Sequence, residues 1–543
     1  MFPTPSLLNF LQADLALDLW VFLPEVIVSL TVVVLLLLRL LPGAERKHRG
    51  GLALVLTLTA LAVAGGQWYF DISIPTAFGG LLVGDFFALY LRTLILACAA
   101  LTILLTLLTG LPDADDSADF YALLLGATLG MLLMAAANHL LMIFIAVEMA
   151  SVPSYTLAGF LKGRRTGSEA ALKYVVYGAS ASGIMLYGIS LLAGKFGTGY
   201  LPELALGFAA VLHSPGGALD PVLLLGTLFV VVGFGFKLAA VPFHFWCPDV
   251  FEGAPAEVAG FLSVASKGAA LGLTARTLLA LTGGPTADPA LVRLIVPVLA
   301  ALAVVTATFG NLAAFSQTNL KRLLAYSTIA HAGYMLMGLV PLTAAGAGAV
   351  LFYLAAYLFT NVGAFATVAL IRNATGTEDL AGLRGLITRR PGLTVALALF
   401  LLGLLGLPPL AGFAAKFQLF AVVFQAGDAA RGGPLPQLAP VLYALVAAGV
   451  LNTVISAAYY LKVLRVLILD RPAEPEPPPV PRRLPAAAPV YAVLLALATL
   501  GIGLAWDPLL RASDRGAAAL PGAPARATPP AIGGPAVANA EVP

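Results

Sequence analysis

Long apolar runs separated by short polar connections dominate the chain. A helix needs roughly 20 apolar residues to cross the hydrocarbon of a bilayer. Runs at 20–41, 52–70, 81–111, 120–137, 140–161, 170–192, 223–245, 258–281, 291–309, 323–340, 350–371, 393–424, 441–467 and 490–506 approach that length. The pattern predicts an all-α polytopic membrane protein with about 14 transmembrane helices. The first run lacks a basic flank before it and a small-residue cleavage site after it, so it reads as a membrane helix rather than a signal peptide.

Two of the runs carry helix breakers. In the seventh, Lys237 precedes Pro242, and in the twelfth Pro408, Pro409 and Gly412 precede Lys416. A break frees backbone groups that lipid cannot satisfy, so broken helices 7 and 12 must line protein or a water-filled cavity. Their separation by five helices predicts two five-helix repeats, and an odd number of helices inverts the second copy. The expected organisation is then helices 1–3 over 1–117, a first repeat over 118–281, a second over 290–468, a Pro-rich linker over 469–489, helix 14 over 490–510 and a disordered tail over 511–543.

Composition supports the membrane reading. Of 543 residues 60% are hydrophobic and 10% charged, with a mean hydropathy of +0.95. A net charge of +3 does not form a stripe that could follow a phosphate backbone, which argues against nucleic acid. Sorting the loops alternately puts 17 of the 30 basic residues on one side, Lys47, Lys321, Arg390 and Lys462 among them, and 6 on the other. By the positive-inside rule the richer side is cytoplasmic, and both termini face outward. The two cysteines, Cys98 and Cys247, are too few for an iron–sulfur cluster or a disulfide framework. The segment "GFGFKL" lacks the third glycine and the strand of a dinucleotide-binding loop.

Charges inside the apolar runs cost roughly 2.5–3.5 kcal/mol each at mid-bilayer and need a reason. Glu148, Lys237 and Lys267 lie too deep to reach water, and each is either a proton-carrying group or half of a structural ion pair. Lys416 follows a broken turn whose helix ends can tune it. Lys173 follows Ser168 and Glu169 at a helix start, where it can pair with Glu169 one turn away. His244 and His331 suit either a proton relay or an interior hydrogen-bonded role. Asp85 and Arg92, two turns apart on one helical face, read as a structural pair or as contacts to a neighbour, and Glu25 as a subunit contact. A Glu148–Lys237 pair whose separation changes would load and unload protons along the lysines.

The segments "FKLAAVPFHFWCPDVFEGAP", "SEAALKYVVYGASASG", "NLKRLLAYSTIAHAGYM" and "GLPPLAGFAAKF" resemble the subunit N family of proton-pumping NADH:quinone oxidoreductase, respiratory complex I. The resemblance implies fourteen helices with two inverted repeats and a proton pathway falling on Glu148, Lys173, Lys237, Lys267 and Lys416. It distinguishes subunit N from its antiporter-like relatives. The M-type subunit has glutamate where Lys416 stands, and the L-type carries a long lateral helix for which this tail lacks apolar material. The resemblance implies no cofactor in this chain, with FMN and iron–sulfur clusters in partner subunits of the complex. It also implies quinone as the electron acceptor of the complex, protons as cargo, and a bacterial inner-membrane location with periplasmic termini. A subunit of a multi-subunit cation/proton antiporter and an independent solute transporter are the alternatives.

Overall fold

The computed structural model describes residues 15–40, 47–161, 163, 165–213, 220–283, 288–471 and 485–521. The chain starts with α1 (Leu15–Val21) and α2 (Leu23–Arg39), bent by 78° where Pro24 sits in the first turn of α2. Then come α3 (Gly50–Tyr69), strands β1 (Ile74–Ala77) and β2 (Leu82–Gly84), and α4 (Phe86–Thr109). The expectation of an all-α chain therefore has one exception, an antiparallel hairpin that pairs Ile74 with Gly84 and Ala77 with Leu82. Its turn uses positive φ at Phe78, Gly79 and Gly80, and Phe78 N donates to Asp18 Oδ2 at 2.7 Å.

The bundle continues with α5 (Ser117–Ala136), α6 (Leu140–Ala158), α7 (Arg165–Phe196), α8 (Leu201–Leu212), α9 (Pro221–Leu238), α10 (Trp246–Gly253), α11 (Ala256–Phe261) and α12 (Lys267–Thr282). Helices α11 and α12 form one span joined by a π-helical turn, Leu262–Ser266. After them come α13 (Pro289–Ala314), α14 (Leu320–Leu339), α15 (Ala344–Thr375), α16 (Leu386–Arg389), α17 (Pro391–Leu405), α18 (Ala411–Gly432), α19 (Ala439–Ile468), α20 (Ala487–Leu504) and α21 (Asp507–Ala517).

Among the described residues, 11 helices are long and apolar enough to cross a membrane, or 12 spans if α1 and α2 count as one. The chain is a multi-pass membrane protein. Two expected runs are not in that count. Helix α14 carries Lys321, Arg322, Ser327, Thr328 and His331, which lower its hydropathy, and α17 has only 15 residues before the chain breaks at Gly406. Helix α8, of 12 residues, is too short to stand out as a span and was not expected. The boundary expected at Arg511 falls inside α21, whose Ser513 hydroxyl lies 2.9 Å from Tyr90 Oη and which packs on α4 and α15. Most of the Pro-rich linker, 472–484, lies outside the described residues, as does 522–543.

The α11–α12 span, α14 and α15 form the interior, and nearly all of α14 is buried. The most apolar window of α15 is 94% buried and that of the α11–α12 span 100%. Lipid-type residues cover the periphery instead, for example Leu30, Leu37, Val454 and Leu494. Hydrogen bonds between connections sort into two faces. On one, His48 reaches Pro112 O, Asn373 reaches Thr109 O and Lys462 reaches Phe315 O. On the other, Asn138 reaches Gly80 O and Tyr200 reaches Gly79 O. The first face is the one that gathers the basic connections.

Candidate functional site

The first charged station sits where α6 is locally loosened. Pro153 has no N–H to offer the carbonyl of Met149, one residue beyond Glu148. Gly130 of α5 permits the close approach of this turn, since a Cβ there would overlap the backbone nitrogen of Ala150. Ser182 of α7 donates its hydroxyl to the Glu148 carboxylate. Lys237, near the end of α9, is 2% exposed, and its Nζ donates to Ser151 Oγ at 2.9 Å. Ser151 stands three residues after Glu148 on the same face of α6 and passes its own proton to Val147 O at 2.6 Å. Glu148 and Lys237 are within electrostatic reach but make no ion pair in this state. A serine on each side holds them apart.

The chain breaks immediately after Lys237. Ala239 takes the left-handed conformation at φ 54°, and its N–H and that of Ala240 turn back to Phe236 O and Gly235 O at 3.0 and 2.9 Å. Val241 N donates to Thr306 Oγ1 at 3.1 Å, and Trp246 Nε1 donates to Phe236 O at 3.0 Å. Protein groups thus satisfy the backbone that the break frees, as a membrane interior requires.

Lys267 opens α12 directly after the π turn and is 1% exposed. Its Nζ makes no hydrogen bond within the described chain, and neither does the nearby Asn361 Oδ1, although Asn361 Nδ2 donates to Ser263 Oγ of the π turn at 2.5 Å. Single π turns recur at functional sites because they widen a helix by one residue. Leaving a buried charged group unpaired costs more than the ~1–3 kcal/mol of a neutral orphan, so the placement of Lys267 needs a reason beyond packing.

Lys416 lies on α18 and is 5% exposed. Its Nζ donates to Leu405 O, the last carbonyl of α17, at 2.9 Å and stands 4.6 Å from the centre of the Tyr334 ring. The negative end of one half-helix and an aromatic face therefore hold the cation. His331 of α14 lies between, within electrostatic reach of both Lys267 and Lys416. Its Nδ1 is 2.8 Å from Tyr353 Oη and its Nε2 3.3 Å from Tyr460 Oη. Lys237, Lys267, His331 and Lys416 thus lie in the buried interior of the bundle, with Glu148 half-buried on α6.

Lys173 and His244 stand apart from that line. Lys173 is 38% exposed at its side chain and pairs with Glu169 at 2.7 Å and Asp249 at 2.6 Å. Arg322 joins the same carboxylate at 2.6 Å and also holds Glu252 at 2.7 Å, which makes a charged cluster over α7, α10 and α14. His244 lies in the break itself, its ring 4.4 Å from those of Phe245 and Phe309, with Nδ1 buried and unbonded.

Sequence reasoning missed several groups. Lys321, sorted with the cytoplasmic loops, is buried and bonds Glu378 at 2.9 Å and Ala254 O at 2.8 Å. Asp85 does not pair with Arg92; its carboxylate accepts two hydrogen bonds from Arg276 at 2.7 and 2.8 Å, while Arg92 holds Glu25 at 2.7 Å. The tyrosines around His331 were also missed. Their signal was the spacing of Ser327, His331 and Tyr334 on α14 and of Tyr353 and Tyr357 on α15, which puts each set on one helical face.

Residues 137–430 match the family described as "NADH:quinone oxidoreductase/Mrp antiporter, TM". NADH-quinone oxidoreductase subunit N of Anaeromyxobacter sp. is 41% identical over 519 residues, covering 93% of this chain and 98% of that protein. A chain of respiratory complex I from Thermus thermophilus aligns with a TM-score of 0.68 and 34% identity, over 90% of this chain and 98% of its own. A chain of the Mrp complex from Dietzia sp. aligns with a TM-score of 0.76 over 94% of this chain and 97% of its own; at 22% identity that likeness shows the fold alone. Coverage of almost the full length of both chains at such identity gives one conclusion: the chain belongs to the NADH-quinone oxidoreductase subunit N family.

Proposed function

We propose that the chain is a proton-translocating membrane-arm subunit of an NADH-quinone oxidoreductase. Electrons pass from NADH to quinone in partner subunits that carry FMN and iron–sulfur clusters, and this chain turns the resulting conformational or electrostatic signal into proton movement. The observation that carries the reading is the set of ionisable groups within the bundle, the half-buried Glu148 and the buried Lys237, Lys267, His331 and Lys416, with serines, tyrosines and a π turn among them. Isolated charges at this depth are expensive, and a structural role would pair them; Lys267 is unpaired.

In this reading Lys173, with its Asp249 and Glu169 partners, stands at the cytoplasmic approach to the line, and His244 lends the break a titratable ring. Fourteen spans follow if α14 crosses and if α17 and α18 make one broken helix. The units 118–281 and 290–468 then form inverted repeats after helices 1–3 in 1–117. The arrangement of breaks supports this, with Lys237 just before one and Lys416 just after the other. A cytoplasmic linker at 469–489 leads to a last unit that extends through α21. Both termini are periplasmic in a bacterial inner membrane. An antiporter subunit shares the fold, but the full-length relative at 41% identity favours the oxidoreductase.

Lys267→Ala tests the reading in the intact complex. NADH oxidation by an artificial acceptor that bypasses quinone should stay at the wild-type level and report assembly. NADH-driven proton uptake by inverted vesicles should fall by about tenfold or more, a loss of ~1.4 kcal/mol of barrier lowering. Wild-type uptake would remove Lys267 from the pathway.

A further inference from the structure

The hydrogen bonds of His331 lead away from the lysines as well as between them. Tyr460 Oη, which contacts His331 Nε2 at 3.3 Å, lies 2.5 Å from Ser327 Oγ. The ring of Tyr460 is 4.2 Å from that of Tyr459. Tyr459 Oη donates to Asn311 Oδ1 at 3.2 Å, and Asn311 Nδ2 donates to Tyr334 Oη at 3.2 Å, the ring that faces Lys416. These groups are buried. The network nevertheless climbs toward the basic face. Asn311 is four residues before Phe315 on α13 and Tyr459 three residues before Lys462 on α19, which is one helical turn in each case. At that level the exposed Lys462 Nζ donates to Phe315 O at 2.9 Å, a bond from α19 to the end of α13.

We propose that Asn311, Tyr459, Tyr460 and His331 form a proton branch joining the basic face between α13 and α19 to the second half of the lysine line. The inference rests on the proton-translocating reading and assigns it a second point of uptake. A proton delivered to Tyr460 Oη lets that hydroxyl release its own proton to His331 Nε2. The imidazole then releases its Nδ1 proton to Tyr353 Oη, which passes its hydroxyl proton on toward Lys267 or Lys416. Every oxygen ends with the one proton it began with, the ring stays neutral, and one proton has crossed it. The ring is left in the other tautomer, and its rotation or the return shift resets it. Asn311 positions Tyr459 and Tyr334 rather than carrying the proton, since an amide is a poor relay.

Tyr460→Phe keeps the ring and removes the hydroxyl. In inverted vesicles containing the intact complex, NADH-driven proton uptake should fall by about tenfold, as expected when one proton-transfer contact of ~1.4 kcal/mol is lost. The solvent deuterium isotope effect on uptake should rise, because proton transfer through the gap becomes limiting. A slower rate with an unchanged isotope effect, or a wild-type rate, overturns the branch. Tyr459→Phe is scored by the same two readouts if Tyr460→Phe does not assemble. Lys237→Ala runs in parallel: if it is impaired while both tyrosine variants pump normally, only the branch falls; if it too pumps normally, the transport reading falls with it.

Discussion

Arg276 shows how a buried charge can be structural. It sends two hydrogen bonds to Asp85 and a third to Ala135 O at 3.1 Å, while Asp85 also caps α4 through Ala88 N at 2.8 Å. Three helices, α4, α5 and α12, therefore depend on one guanidinium. Breaking a buried pair by removing one partner costs about 3–5 kcal/mol, because the other charge stays buried. Arg276→Ala should lower the thermal unfolding temperature of the purified complex, and Arg276→Lys should recover only part of it, since an ammonium cannot make the double contact. Equal unfolding temperatures for wild type and Arg276→Ala would show that the pair contributes nothing. Lys267 is the opposite case, buried with no partner. The sequence distinguished neither: both are cations in an apolar run, and only the position of Asp85 on a distant helix separates them. The tyrosines of the branch were harder still to see, because a neutral phenol in an apolar run costs little and draws no notice.

At the scale of elements, the breaks were legible and the turns were not. Pro242, Pro408 and Pro409 marked both interruptions, because proline removes a backbone donor wherever it falls. The π turn before Lys267 left no such mark, since Leu262–Ser266 holds no proline or glycine. Helix α8 escaped notice because 12 residues cannot cross hydrocarbon, and α21 because its polar face reads as a tail. The residue that ends α9 offers a test of the break. Ala239 holds φ 54°, a conformation that costs a residue with a Cβ about 1 kcal/mol and glycine almost nothing. Ala239→Gly should leave the assembled complex as heat-stable as wild type or slightly more so. A β-branched residue there clashes with the turn, and Ala239→Val should destabilise it. The reverse order in thermal unfolding would mean that the turn is not held as described.

For the whole molecule, what the sequence revealed best was its distribution of charge. Hydrogen bonds between connections gather into two faces, and Lys237, Lys267 and Lys416 are buried in the interior with Glu148 half-buried beside them. The direct Glu148–Lys237 contact expected from the sequence is absent in this state, because Ser151 and Ser182 each take one of the charges. For the proposed pair to close, Lys237 must leave Ser151 and Glu148 must leave Ser182, so closure requires an exchange of partners and not merely an approach. The same exchange explains why Glu148 must keep its charge, since Ser182 can donate equally to a neutral amide but Lys237 gains nothing from one. The most direct test compares NADH-driven proton uptake in inverted vesicles for wild type, Glu148→Gln and Glu148→Asp, with NADH oxidation by an artificial acceptor as the measure of assembly. Assembled Glu148→Gln complex should lose most of its uptake, and Glu148→Asp, which keeps the charge on a shorter arm, should retain part of it. Wild-type uptake in all three would make Glu148 a spectator and contradict a proton path that begins with it.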